Sequence, residues 1–270
     1  MRDSNFLEVI EDLCDIILAS KRCQSTDELE RIRESGEGDH DGDVTTRLGE
    51  YQPMASPGTI RLFSNPLGNL VYGAWEHLVA TKLVREDDNA ALRNTCRIVV
   101  GKTYFHEQLH FMWDYAGHCN LLDRILSKKP NTEEALATAW SWHLCHEHGR
   151  QIWADNQPAV EAIVRFCFDG ITLAGYRDWK THAHGCFFET AFAYYFELQD
   201  FEVTEIDDPR DRISAFLNQV VADGALCNYE IWDQQNGTLI TSCDGSPSAF
   251  VGWDVNFVLH TPNNCYPKSS

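Results

Sequence analysis

Near the start of the chain, Phe6, Val9, Ile10, Leu13 and Ile17 recur every three or four residues, with Glu8, Glu11, Asp12 and Asp15 set among them. That spacing predicts an amphipathic helix, with Ser4 placed to cap its start and Lys21 and Arg22 near its end. The interleaved acids leave no uncharged stretch for an export signal, so residues 1–33 are expected to form an N-terminal helix. The pattern then breaks. Gly36, Gly38, Gly42, Pro53 and Pro57, with Asp39, Asp41 and Asp43, predict an acidic loop or linker over 34–58. Thr59 to Phe63 alternates like a short strand and stops at Ser64-Asn65-Pro66. Helical runs follow at about 69–83 and 90–115, another capped by Thr132 with Glu133 and Glu134 in its first turn, one opened by Pro158, and one over 187–198. Tyr229 to Trp232, Asn236-Gly237 and Thr238 to Thr241 then read as a hairpin, since Asn-Gly favours a type I′ turn. Trp253, Val255, Phe257 and Leu259 alternate as a further strand. Together these elements predict a predominantly helical α+β protein with a small C-terminal antiparallel sheet, residues 59–270 forming a single domain.

Composition narrows the partners. Of 270 residues 43% are hydrophobic, enough for a sizeable core. Asp and Glu number 41 against 22 Lys and Arg, a formal charge of −19, which disfavours binding to a phosphate backbone. No segment holds the roughly 18 apolar residues of a membrane span. Ten cysteines are scattered with no CxxC pair, the pattern of free thiols in a reducing compartment, so a cytoplasmic location is expected. Asp39, Asp41, Asp43 and Glu50 have the outline of a calcium loop, but Val44 stands where its sharp turn needs glycine. That stretch is read as a solvated acidic loop.

Chemistry concentrates elsewhere. Eight of the eleven histidines lie between positions 106 and 184, a window that opens with His106-Glu107-Gln108-Leu109-His110, an HExxH sequence. Four residues make slightly more than one helical turn, so His106 and His110 project from one face and can hold one metal ion. Glu107 flanks that face and can take a proton from an activated water and return it. The helix itself is independently predicted: Leu92, Cys96, Val99, Thr103, His106 and His110 form one inward stripe. The competing reading, a pair of buried hydrogen-bonded histidines, has to bury two imidazoles beside a carboxylate without a metal.

With these residues the sequence resembles the zincin metallopeptidases, in which HExxH supplies two zinc ligands and the general base. Metzincins would need Gly at 113 and His at 116, where Trp113 and Ala116 stand, and no methionine follows Met112 for a Met-turn. Gluzincins take a glutamate from a later helix, and Phe188 to Glu197 looks like that helix. The resemblance therefore implies Zn2+ held by His106, His110 and Glu189, with Glu107 as general base and a peptide or protein as substrate. Glu189 shares a face with Phe192, Ala193 and Phe196, where a lone carboxylate is costly unless paired or metal-bound. The gap of 79 positions from His110 is longer than compact gluzincins show. His118, Asp114, His143, His146, Glu147, His148, His182 and His184 compete as ligands or as groups that orient one. Tyr176, Tyr194 and Tyr195 read first as core. Two other classes stand beside a zinc hydrolase. Glu107-x-x-His110 is also half of a ferritin-like di-iron motif, for which Glu76, Glu147 and Glu189 lie on predicted helices. A catalytically inactive zincin-like binding or regulatory protein is the third.

Overall fold

A computed structural model describes residues 6–20, 26–35, 47–52, 58–119, 130–194 apart from 188 and 192, 227–233 and 235–243. The order is α1 (Phe6–Ser20), α2 (Thr26–Ser35), β1 (Gly49–Gln52), β2 (Gly58–Phe63), α3 (Ser64–Ala80), α4 (Asn89–Cys119), α5 (Pro130–Ile152), α6 (Gln157–Phe168), α7 (Trp179–Thr181), a π-helical turn (His182–Cys186), β3 (Cys227–Asp233) and β4 (Thr238–Cys243). The protein is α+β and predominantly helical.

Helix α1 forms for the reason its pattern gives: Ile10, Leu13, Cys14 and Ile17 are buried at three- and four-residue steps. Its polar side is tied to α4, because Arg93 donates to Glu11 and Asp15, each at 2.7 Å, and Arg97 donates to Glu11 as well. Helix α4 is the spine of the molecule. It packs along α1, α3, α5, α6 and the first two strands, and residues 95–109 are buried but for Arg97. Helix α5 returns antiparallel to it. Ser141 Oγ donates to the Lys102 carbonyl and, one turn further on, Cys145 Sγ donates to that of Ile98 at 3.3 Å. Because side chains here bond to the facing backbone, the two axes lie close along their length. Asn156 caps α6, its side chain accepting from the Ala159 amide at 3.3 Å, with Pro158 in the first turn.

The sheet differs from the expected C-terminal antiparallel one. Four strands run in the order β1-β2-β3-β4, and the central β2–β3 pair is parallel, from Gly58 beside Cys227 to Phe63 beside Trp232. A hairpin joins β3 to β4 as expected, but not through a type I′ turn: Asp233 pairs with Thr238, so four residues lie between the strands, and Gly237 at φ 62° takes the left-handed conformation while Asn236 does not. Strand β1 lies inside the stretch expected to be loop: its four residues hold too few apolar side chains to show a period. It pairs with β2 from Gly49 beside Leu62 to Gln52 beside Thr59. Gly49 lets β1 approach α4, since a side-chain carbon there would stand 2.7 Å from Thr103 Cγ2 and 3.3 Å from Glu107 Cγ. Two other expectations shift. Helix α3 starts at Ser64, directly after β2, and Thr132 falls inside the first turn of a helix that Pro130 opens. The Ser4 cap, the 253–259 strand and most of the acidic loop lie outside the described residues.

Candidate metal centre

Helix α4 places His106 and His110 one turn apart on the side that meets the first turn of α5. Pro130 fixes the start of α5, so Glu133 and Glu134 fall where a helix N-terminus favours negative charge. The four side chains converge. His106 Nε2 lies 3.1 Å from His110 Nε2 and 3.1 Å from Glu134 Oε2, and His110 Nε2 lies 3.4 Å from that same oxygen. These atoms form a near-equilateral triangle, and His106, His110 and Glu134 together make a group able to hold a metal ion. Bonds of about 2.0–2.1 Å to a tetrahedral zinc set neighbouring ligand atoms about 3.3–3.4 Å apart. The triangle matches one face of such a tetrahedron within a few tenths of an ångström.

A second layer holds the ligands. His110 Nδ1 lies 2.7 Å from Glu133 Oε1, and the hydroxyl of Tyr194 donates to Glu133 Oε2. With Nδ1–H donated to a carboxylate, the Nε2 lone pair of His110 is left for a metal. The Tyr176 ring stacks on His106 at 5.6 Å and 19°, closing one side of a histidine that is 1% exposed.

Electrostatics favour a cation. Burial works against charge on His110, yet Glu134 and Glu133 outweigh it and raise its pKa well above the ordinary histidine value. Burial likewise pushes Glu134 up, but His110 and His106 hold it well below the usual carboxylate range. Glu133 is lowered in the same way, against burial, by His110 and Tyr194. The two ionised carboxylates thus hold a proton on His110, and a divalent ion taking that proton's place would neutralise them while leaving both imidazoles neutral. The donor set, two imidazoles and a carboxylate, suits zinc.

Of the residues singled out in the sequence, the structure brings His106 and His110 together. Glu107 is buried on the flank of α4 that faces Gly49 of β1 and is not one of the triangle's corners. Glu189 does not join them: it is exposed, and Glu134 occupies the position expected of it. The helix expected to bring Glu189 does reach the centre, through Tyr194. Among the competitors, Asp114 accepts from the Tyr51 hydroxyl at 2.6 Å. His143, His146 and His184 gather around Trp142 with ring centroids 4.6–5.2 Å away, and His148 packs on Phe105. The side chain of His118 lies outside the described residues. Of the acids that a di-iron centre would draw on, Glu76 and Glu189 are exposed and Glu147 accepts from Gln151 at 3.3 Å.

Sequence reasoning passed over Glu133 and Glu134 because carboxylates in a first turn already have a reason to be there. The available signal was distance: only 24 positions separate His110 from Glu134, against 79 to Glu189. No protein-family profile, curated protein or solved structure matches the chain.

Proposed function

We propose that this protein is a zinc-dependent hydrolase, most directly a metallopeptidase, whose metal is held by His106, His110 and Glu134. The observation that carries the reading is the triangle of two Nε2 atoms and one Oε2, with edges of 3.1, 3.1 and 3.4 Å, at the start of a buried helix pair. A zinc ion bound there would supply Lewis acidity toward a carbonyl and acidify a water. The chain supplies the rest. Glu107, one residue after the first ligand and buried on the sheet-facing flank, would be the carboxylate to take a proton from the attacking water and deliver it to the leaving amine. Glu133 fixes the tautomer and ring plane of His110, and the Tyr194 hydroxyl fixes Glu133. Tyr176 shields His106 from solvent, which strengthens each electrostatic interaction at the site.

Two imidazoles and one carboxylate are also a donor set for mononuclear non-haem iron. A buried carboxylate one residue after the first ligand favours hydrolysis. A reducing compartment, the cytoplasm, goes with this reading, since Cys14, Cys96, Cys145, Cys167 and Cys186 form no disulfide among the described residues. No helix among the described residues is long and apolar enough to cross a membrane. The test is Glu107→Gln assayed on a mixed peptide library beside wild type. Retained zinc with cleavage slowed by about 100-fold or more is expected from loss of a general base. Wild-type cleavage by the variant, or no zinc-dependent cleavage by wild type, would overturn the reading.

A further inference from the structure

Two turns before Tyr194, the same helical segment carries a second group of reactive side chains. His182, Cys186 and Thr190 follow one another at steps of four. Cys186 Sγ lies 3.5 Å from His182 Nδ1 and 3.6 Å from the Thr181 carbonyl, and Thr190 Oγ1 donates to the same sulfur at 3.6 Å. Four other described cysteines, Cys14, Cys96, Cys145 and Cys167, are buried, whereas Cys186 is partly exposed. Its neighbour Gly185 borders open space, since a side-chain carbon built there would meet nothing within 4 Å. The turn that presents the pair, His182–Cys186, is π-helical, a departure from α-geometry that recurs at functional sites.

We propose that Cys186 is a reactive thiol, with His182 as its base, that exchanges with low-molecular-weight disulfides and carries the resulting mixed disulfide. A partly exposed thiol, an imidazole nitrogen within reach of its proton and a hydroxyl donating to it are what such a nucleophile needs. Burial lowers the pKa of His182 against the opposing pull of Asp178, so the resting ring is uncharged. The Thr190 hydroxyl stabilises the charge that remains on sulfur. Cys96 is fully buried, and burial, with Cys14 beside it, raises its thiol well above the ordinary value and keeps it inert.

The step balances. The Cys186 proton passes to His182 Nδ1, and the thiolate sulfur attacks one sulfur of the disulfide. A new S–S bond forms at Cys186 while the reagent's own S–S bond breaks. The departing half leaves as a thiolate with the electron pair and takes its proton from the imidazolium. The small disulfide is the oxidant, and no other co-reactant is required.

The test incubates the full chain with glutathione disulfide at neutral pH and follows intact mass, with peptide mapping to locate the adduct. The expected result is one early adduct on Cys186, absent in Cys186→Ser and formed at least about tenfold more slowly in His182→Gln, as loss of a base predicts. Circular dichroism of each variant establishes that it is folded, and Thr190→Val, which keeps the imidazole, is expected to slow the reaction less than His182→Gln. An early adduct mapped to another cysteine, an unchanged rate in His182→Gln, or no adduct under conditions that modify a free cysteine peptide would overturn the proposal.

Discussion

The two ends of the α4–α5 pair both carry histidines and put them to different uses. At the end where α5 begins, His106 and His110 meet Glu133 and Glu134, and the His110 pKa is driven well up. Further along α5, His143 and His148 meet mostly rings. Burial, with His146 and His184 nearby, lowers His143 to about 3, and burial with Arg97 nearby lowers His148 to about 4. One end is arranged to hold positive charge, whereas His143 and His148 at the other exclude it, and His146 there faces a carboxylate, Glu161 at 3.4 Å. The difference lies in the neighbours, carboxylates in one place and the rings of Trp142, Phe105 and Phe187 in the other. A histidine's role is therefore set by its neighbours, not by the histidine.

The contrast can be broken from either side. The largest effect is expected at the aromatic end, where Trp142→Ala should cost about 3–5 kcal/mol of stability through the cavity it leaves. Thermal or urea unfolding reads that loss, and zinc content at a temperature where the variant is folded should be unchanged. Loss of zinc from folded Trp142→Ala would mean that the two ends are one unit. At the carboxylate end, Glu133→Gln should weaken zinc binding about 10- to 100-fold, the usual consequence of removing the group that orients a ligand histidine. Competition with a chromogenic chelator measures it, and unchanged affinity would strip Glu133 of that role.

Acid should separate the ends as well. His143 and His148 are neutral in the fold and charge in the unfolded chain below about pH 6.5. Their contribution is fully present above that value and is lost as pH falls through about 4 for His148. Over that window each such histidine steepens the loss by about 1.4 kcal/mol per pH unit. His148→Gln should flatten the stability–pH slope by that amount, and an unchanged slope would show that His148 is not buried neutral. The smallest effect is expected from Tyr194→Phe, which removes one hydrogen bond to Glu133 and should weaken zinc by less than about tenfold.

How far the sequence reaches into this picture depends on the kind of signal. Helices α1 and α4 and the β3–β4 hairpin were legible, because a 3.6-residue stripe and an Asn-Gly turn are local facts. His106, Glu107 and His110 were legible for the same reason, since one helical turn relates them. Glu134 was not, because its partnership with the histidines is made by the antiparallel return of α5. Glu189 attracted attention as a carboxylate beside Phe192 and Ala193, yet the helix leaves it facing outward while Tyr194 turns toward Glu133. Strand β1 was hidden among acidic and glycine residues, and its place beside Glu107 comes from pairing with β2, which no local pattern reports.

The central claim is that Glu134, and not Glu189, completes a metal site with His106 and His110. Elemental analysis of wild type, Glu134→Gln and Glu189→Gln, each purified without added metal and checked for folding, tests it most directly. One zinc per chain in wild type and in Glu189→Gln, with little or none in Glu134→Gln, is the predicted result. Zinc kept by Glu134→Gln and lost by Glu189→Gln, or a wild-type protein that binds none even when zinc is supplied, would contradict it.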